Sequence, residues 1–170
     1  MKLMIASDIH GDAYWMEQVL QAYKKEDADY LILLGDLLNH GPRNGIPPHY
    51  DPQKVAELLN AEKEHVFCIR GNCDSEVDQM LIEVPILAEN SQILTEERIL
   101  FLSHGHHYNT ENLPPLKKGS IFLQGHTHVP MIEERQGILC GNPGSPTFPK
   151  EGSAPGYLLY ESGELKLRTF

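Results

Sequence analysis

The sequence is short of basic residues, of cysteine and of long apolar runs. It carries 14 basic residues against 24 acidic ones, a formal net charge of −10, and no Lys/Arg cluster offsets that balance. A long polyanion would be repelled over most of such a surface, so no extended nucleic acid is expected as a partner. Cys68, Cys73 and Cys140 are an odd number without framework spacing. That excludes a disulfide scaffold and points to reduced thiols in a cytoplasmic protein. The apolar start of MKLMIASDIHG is broken at Asp8, too early for a signal peptide and far too short for a membrane span. No internal repeat, low-complexity tract or linker divides the chain. Its 170 residues are expected to form one domain, 1–170, with a core of its own.

What the sequence does contain is one recurring pattern. KLMIASDIH (2–10), YLILLGD (30–36), VFCIRGNCD (66–74), ILFLSHGH (99–106) and IFLQGHTH (121–128) are apolar runs of strand length. Each ends in Ser, Gly or His and then presents Asp, Asn or His. Runs that are apolar on both faces suit strands inside a helix-covered sheet. A helix is predicted over 12–26, with Trp15, Met16, Val19, Leu20 and Tyr23 on one face. Another is predicted over 51–64, opened by Asp51 as N-cap and Pro52 at the first helical position. After about residue 84 the strands crowd together, with Glu/Gln/Gly turns and almost no helix signal. Residues 157–169 read as a hairpin turning at Ser162 and Gly163. The first half therefore predicts parallel strands alternating with helices, and the second half mixed or antiparallel strands. Together they make an α/β (α+β) sandwich of two sheets flanked by helices.

In open α/β sheets, ligands collect beyond the carboxyl ends of the strands. The five runs deliver Asp8, His10, Asp36, Asn72, His104, His126 and His128 to such ends. Singly these are weak signals, because Asp-x-His is commonly an aspartate orienting a satisfied histidine and Gly-Asp is ordinary turn chemistry. SHGH and GHTH are sharper, since glycine beside histidine lets the backbone approach closely. Seven mixed donors exceed one ion, and the cysteines are not spaced for a structural zinc site. Two ions sharing one carboxylate would use the whole set, as in metal-assisted phosphoryl hydrolysis. The oxygen and imidazole mixture suits Mn, Fe or Zn better than Ca or Mg. Two divalent ions, two carboxylates and one bridging hydroxide sum to a charge of about +1, complementary to a phosphodiester.

NHGPRN (39–44) supports two readings. Arg43 is a candidate for gripping a phosphate oxygen bidentately and His40 for a general acid. Alternatively, Gly41-Pro42 simply rigidifies a tight turn. His106, two residues after His104, is a candidate for orienting a ligand or the substrate. His49, His65 and His107 read as structural or solvated, NPGS (142–145) as a turn closing the site wall, and MIEERQ (131–136) as a solvated face.

The blocks DIH, GD, GNCD, HGH and GHTH, in that order, resemble the signature of the calcineurin-like metallophosphoesterases, D-x-H, G-D, G-N-[H/C]-[D/E], H-G-H and G-H-x-H. The resemblance covers essentially the full chain. It implies a four-layer αββα sandwich and two divalent metal ions, with manganese the usual one. Asp8, His10 and His128 would hold the first ion and Asn72, His104 and His126 the second, with Asp36 bridging. The implied activity is metal-dependent hydrolysis of small or aryl phosphodiesters by a metal-bridged hydroxide. Many members have a histidine after the metal-binding Asn, thought to protonate the leaving oxygen. Here that position is Cys73, expected to line the site and to bias it toward diesters or activated aryl esters. Rival readings are a non-catalytic scaffold of the same fold, a phosphomonoesterase and a nuclease. The scaffold has little reason to keep seven costly polar groups in one cleft, and a nuclease needs a basic groove that the sequence does not offer. Pairing of the apolar C-terminal strands between subunits is left open.

Overall fold

A computed structural model describes residues 1–170. The chain runs through β1 (Lys2–Ala6), α1 (Ala13–Glu26), β2 (Tyr30–Leu33), α2 (Pro52–Ala61), β3 (Val66–Cys68) and a one-turn α3 (Glu76–Gln79). Only strands follow: β4 (Asn90–Leu94), β5 (Ile99–Ser103), β6 (Ile121–Leu123), β7 (Met131–Arg135), β8 (Ile138–Asn142), β9 (Gly156–Glu161) and β10 (Glu164–Thr169).

These strands form two five-stranded mixed sheets, ordered β10-β9-β1-β2-β3 and β4-β5-β6-β8-β7. In the first, β1, β2 and β3 are parallel and β9 and β10 complete it antiparallel. In the second, β5, β6 and β8 are parallel between antiparallel edge strands. Alternation along β1 shows how the layers separate. Leu3 and Ile5 point between the sheets, where they meet Leu100, Leu102, Ile121, Leu123 and Leu158. Met4 and Ala6 point the other way, against Met16, Val19 and Leu20 of α1 and Val55 and Leu59 of α2. Burial on both faces is why these strands read as unbroken apolar runs.

Local chemistry sets the helix limits. Asp12 accepts a hydrogen bond from Trp15 N–H at 3.0 Å and caps α1, and Asp51 does the same for Lys54 N–H ahead of Pro52 in α2. The second helix stops at Ala61, short of the expected 64, and a 3₁₀ turn at Lys63–His65 leads into β3. The hairpin at Ser162-Gly163 is present, both residues having positive φ (50° and 80°), the backbone of a two-residue turn matched to strand twist. MIEERQ is exposed as expected, yet it is strand β7, paired with β8 across Gln136-Gly137. Two mixed sheets flanked by helices are thus observed, with one difference in the layers. The helices lie on the first sheet, whereas Phe101, Phe122, Ile138 and Cys140 on the outer face of the second are covered by Leu113 and Leu116 from a non-helical segment. Pro114-Pro115 in that segment excludes a helix there. No helix is long and apolar enough to cross a membrane.

Candidate metal centre

The loops leaving β1, β2, β3, β5 and β6 converge on one rim spanning both sheets. Asp8, His10, Asp36, His126 and His128 all have positive φ, between 51° and 67°. Non-glycine residues in that region cost about 1–3 kcal/mol each and persist only where the surroundings fix them. Here the backbones are laced together. Asp8 N–H and His10 N–H donate to the carbonyls of Gly35 (3.1 Å) and Asp36 (2.9 Å), and Gly125 N–H donates to His104 C=O (2.8 Å). Ser145 Oγ donates to Asp8 C=O and Thr147 Oγ1 to Ile9 C=O, each at 2.7 Å. His126 N–H reaches across the sheets to Asp8 Oδ2 at 2.9 Å. Glycine is required at two close approaches. A Cβ on Gly71 would collide with the Asp36 carboxylate, and one on Gly125 with Ser7 Oγ and Asp8 Oδ2.

Three imidazoles point inward from this frame with the same orientation. His10 Nδ1 donates to Asn39 C=O (2.9 Å), His104 Nδ1 to Leu34 C=O (2.6 Å) and His128 Nδ1 to Phe148 C=O (2.9 Å). A carbonyl only accepts, so Nδ1 carries the proton and Nε2 is left facing the centre. The three Nε2 atoms lie 3.6, 3.9 and 3.3 Å from Asp8 Oδ1, in the order His10, His104, His128. That oxygen is fully buried and has no hydrogen-bond partner. His10 Nε2 is 3.2 Å from His128 Nε2, and His104 Nε2 is 3.4 Å from Asp36 Oδ2 and 3.1 Å from Asn72 Oδ1. So many acceptors turned toward one another require positive charge between them. The tight groups Asp8-His10-His128 and Asp8-Asp36-His104 therefore fit divalent cations held by oxygen and imidazole.

The electrostatics agree. Burial would raise the Asp8 carboxyl, yet His104, His10 and His128 hold it well below the usual carboxylate range. Burial likewise opposes the proton on His104, but Asp8 and Asp36 outweigh it and raise this group to about 9.

The remaining expected residues divide. His126 is half-buried beside His104, ring centroids 5.1 Å apart, and lines the cleft without joining either tight group. Asn72 donates its Nδ2 to Cys73 Sγ at 3.1 Å, which turns Oδ1 toward His104. Cys73 and Arg43 both line the cleft, a cavity of about 510 Å³ with almost wholly polar walls. Burial first, and Asp36 next, push the Cys73 thiol up to about 12. His40 is not brought in. Its Nδ1 donates to Gly41 C=O at 2.8 Å and its ring stands edge-on to Tyr50, outside the residues lining the cleft. His106 packs against His104, centroids 5.3 Å apart, also outside the lining.

The structure gives four further residues a part at the site, two of them, Asn142 and Ser145, in the NPGS stretch expected to close its wall. Asp74 is buried and accepts N–H bonds from Asp36 (2.8 Å), Leu37 (2.8 Å) and Gly71 (2.7 Å). It stands in GNCD, where the two residues before it drew the attention. Asn142 donates to Gly125 C=O (2.9 Å) and Thr127 Oγ1 (3.0 Å). With Ser145 it makes NPGS a clamp on the donor loops as well as a turn. Lys150 lines the cleft as a second cation beside Arg43, and no motif marked it.

Residues 1–164 match the calcineurin-like phosphoesterase superfamily domain. The chain is 48% identical over 167 residues to phosphodiesterase YfcE of Escherichia coli strain K12, covering 98% of this chain and 91% of that protein. The solved structure of YfcE, a phosphoesterase from E. coli, matches with a TM-score of 0.97 at 47% identity, over 99% of this chain and 93% of that one. A zinc complex of Vps29 from Entamoeba histolytica is similar in fold alone, with a TM-score of 0.60 at 18% identity over 99% and 97% of the two chains.

Two outcomes are expected from this geometry. Asp74→Ala strands three backbone N–H groups and lowers stability by at least about 2 kcal/mol, with manganese binding weakened in parallel. Urea denaturation and calorimetry check this, and a variant as stable as the wild type contradicts it. A divalent ion held through His104 would have to displace its Nε2 proton, so below about pH 9 the affinity is expected to fall by about tenfold per pH unit. Calorimetry in buffers of different ionisation enthalpy reads the released proton, and pH-independent affinity contradicts the assignment.

Proposed function

The chain belongs to the calcineurin-like phosphoesterase superfamily, and from that membership we propose that it is a metal-dependent phosphodiesterase acting on small, polar or aryl diesters. Nearly full-length identity to E. coli phosphodiesterase YfcE supports the reaction. The observation that carries the reading is the buried, partnerless Asp8 Oδ1 ringed by three imidazole nitrogens whose Nδ1 atoms are all committed to backbone carbonyls.

In this proposal Asp8, His10 and His128 hold one divalent ion and Asn72, His104 and His126 another, with Asp36 shared; manganese is the first candidate, with iron and zinc as alternatives. Bound divalent ions supply the charge that acidifies a water and neutralises phosphoryl oxygens. Everything else falls to the protein. The carbonyls of Leu34, Asn39 and Phe148 hold the ring tautomers, so the donors are set before substrate arrives. Cys73 N–H, donating to Asp36 Oδ1 at 2.7 Å, fixes which oxygen of the shared carboxylate faces the centre. Arg43 and Lys150 give the cleft two cationic side chains for the non-bridging oxygens of a phosphodiester. Against a net charge of −10, two local cations favour a small anion over an extended polynucleotide.

Leaving-group chemistry limits the substrate. His40 is turned away and the Cys73 thiol, at about 12, is a poor proton donor at neutral pH. The site therefore favours leaving groups that depart as stable oxyanions, aryl oxides before alkoxides.

Asp36→Asn is expected to lower kcat/KM on an aryl phosphodiester by roughly a hundredfold or more with unchanged circular dichroism; full metal-dependent turnover in that variant would refute the reading. Cys73→His is expected to raise turnover of alkyl diesters relative to aryl ones. A panel of diesters with graded leaving groups measures this, and an unchanged ratio counts against the role given to the thiol.

A further inference from the structure

Outside the seven donors the structure gathers a second set of ligand groups, at the edge of the His104 loop. Glu89, just before β4, turns Oε2 toward His106 Nε2 at 3.8 Å and His107 Nε2 at 3.5 Å. One ligand atom from each of the three residues lies within 4.8 Å of the others. Both separations are too long for hydrogen bonds, so the imidazoles are not simply donors to the carboxylate. They are close to the edges of a coordination shell. Metal–ligand bonds of about 2.0–2.1 Å place neighbouring ligand atoms of a tetrahedral site roughly 3.4 Å apart.

Two further observations favour a ligand over a plain ionic cluster. Arg70 Nη1 occupies the other oxygen, Glu89 Oε1, at 3.3 Å, and so turns Oε2 alone to the histidines. The ring of His106 packs 4.1 Å from that of His107, and the Nε2 atoms of both face the same carboxylate oxygen.

We propose that Glu89, His106 and His107 form a third divalent-cation site, taking zinc or a similar imidazole-seeking transition ion, with solvent completing the shell. Two imidazoles and one carboxylate are the ligand set such ions prefer over calcium or magnesium. The site uses none of the seven donors and does not rest on the phosphodiesterase reading. It does touch the candidate centre through His106, whose ring lies 5.3 Å from His104 and 6.2 Å from His126. An ion here would fix that ring against the donor loop.

Glu89 and His107 are exposed, so Glu89→Ala/His107→Ala leaves the core intact. Manganese-loaded wild-type and variant proteins are titrated with zinc by calorimetry, and total bound metal is counted by elemental analysis after buffer exchange. The expected result is one more ion per chain in the wild type, with the corresponding zinc binding at least tenfold weaker or absent in the variant. Equal metal content together with a zinc affinity changed by less than tenfold overturns the proposal. Exchange of zinc for manganese among the seven donors alters both proteins alike, so its success or failure is separable from this outcome.

Discussion

Acceptor groups crowded into one buried space are the constraint on which the rest of the structure depends. Asp8 and Asp36 are buried together with His10, His104 and His128, and nothing within the protein satisfies Asp8 Oδ1. Desolvating such groups is costly unless compensating charge arrives. A divalent cation would provide it, and the same two carboxylates favour a proton on His104.

Holding that centre open takes many small restraints from both sheets. Hydrophobic burial between Leu3, Ile5, Leu102 and Leu123 brings the sheets together but does not specify where loop residues point. Specification comes from polar contacts at the rim, such as Asp74 gathering three N–H groups and Ser145 reaching Asp8 C=O. Left-handed backbone at five of the donors means that each side chain is delivered by a turn that would relax elsewhere if those contacts were lost. Stability is given up at the rim and recovered in the three apolar clusters.

Much of this was legible in the sequence, for identifiable reasons. Apolar runs buried on both faces announce interior strands, and Asp12, Asp51 and Pro52 mark helix starts by capping chemistry that acts over three residues. The seven candidate ligands stand beyond strand ends because that is where the loops of an α/β sheet meet. What escaped is what depends on contacts distant in sequence. His40 sits in the same short stretch as Arg43, yet a single hydrogen bond to Gly41 C=O turns its ring out of the cleft. Asp74 carries no signal of its own within GNCD, because its three acceptor bonds form only once β2 and β3 are paired. Helices on one sheet only, with a proline-containing segment over the other, are likewise a packing outcome that periodicity does not report.

The seven residues are proposed to surround a pair of cations. Anomalous scattering from manganese-soaked crystals tests it most directly. The account predicts two peaks, one among Asp8, His10 and His128 and one among Asn72, His104 and His126, with Asp36 touching both. A rim free of anomalous density, with those side chains in the same positions, would contradict it.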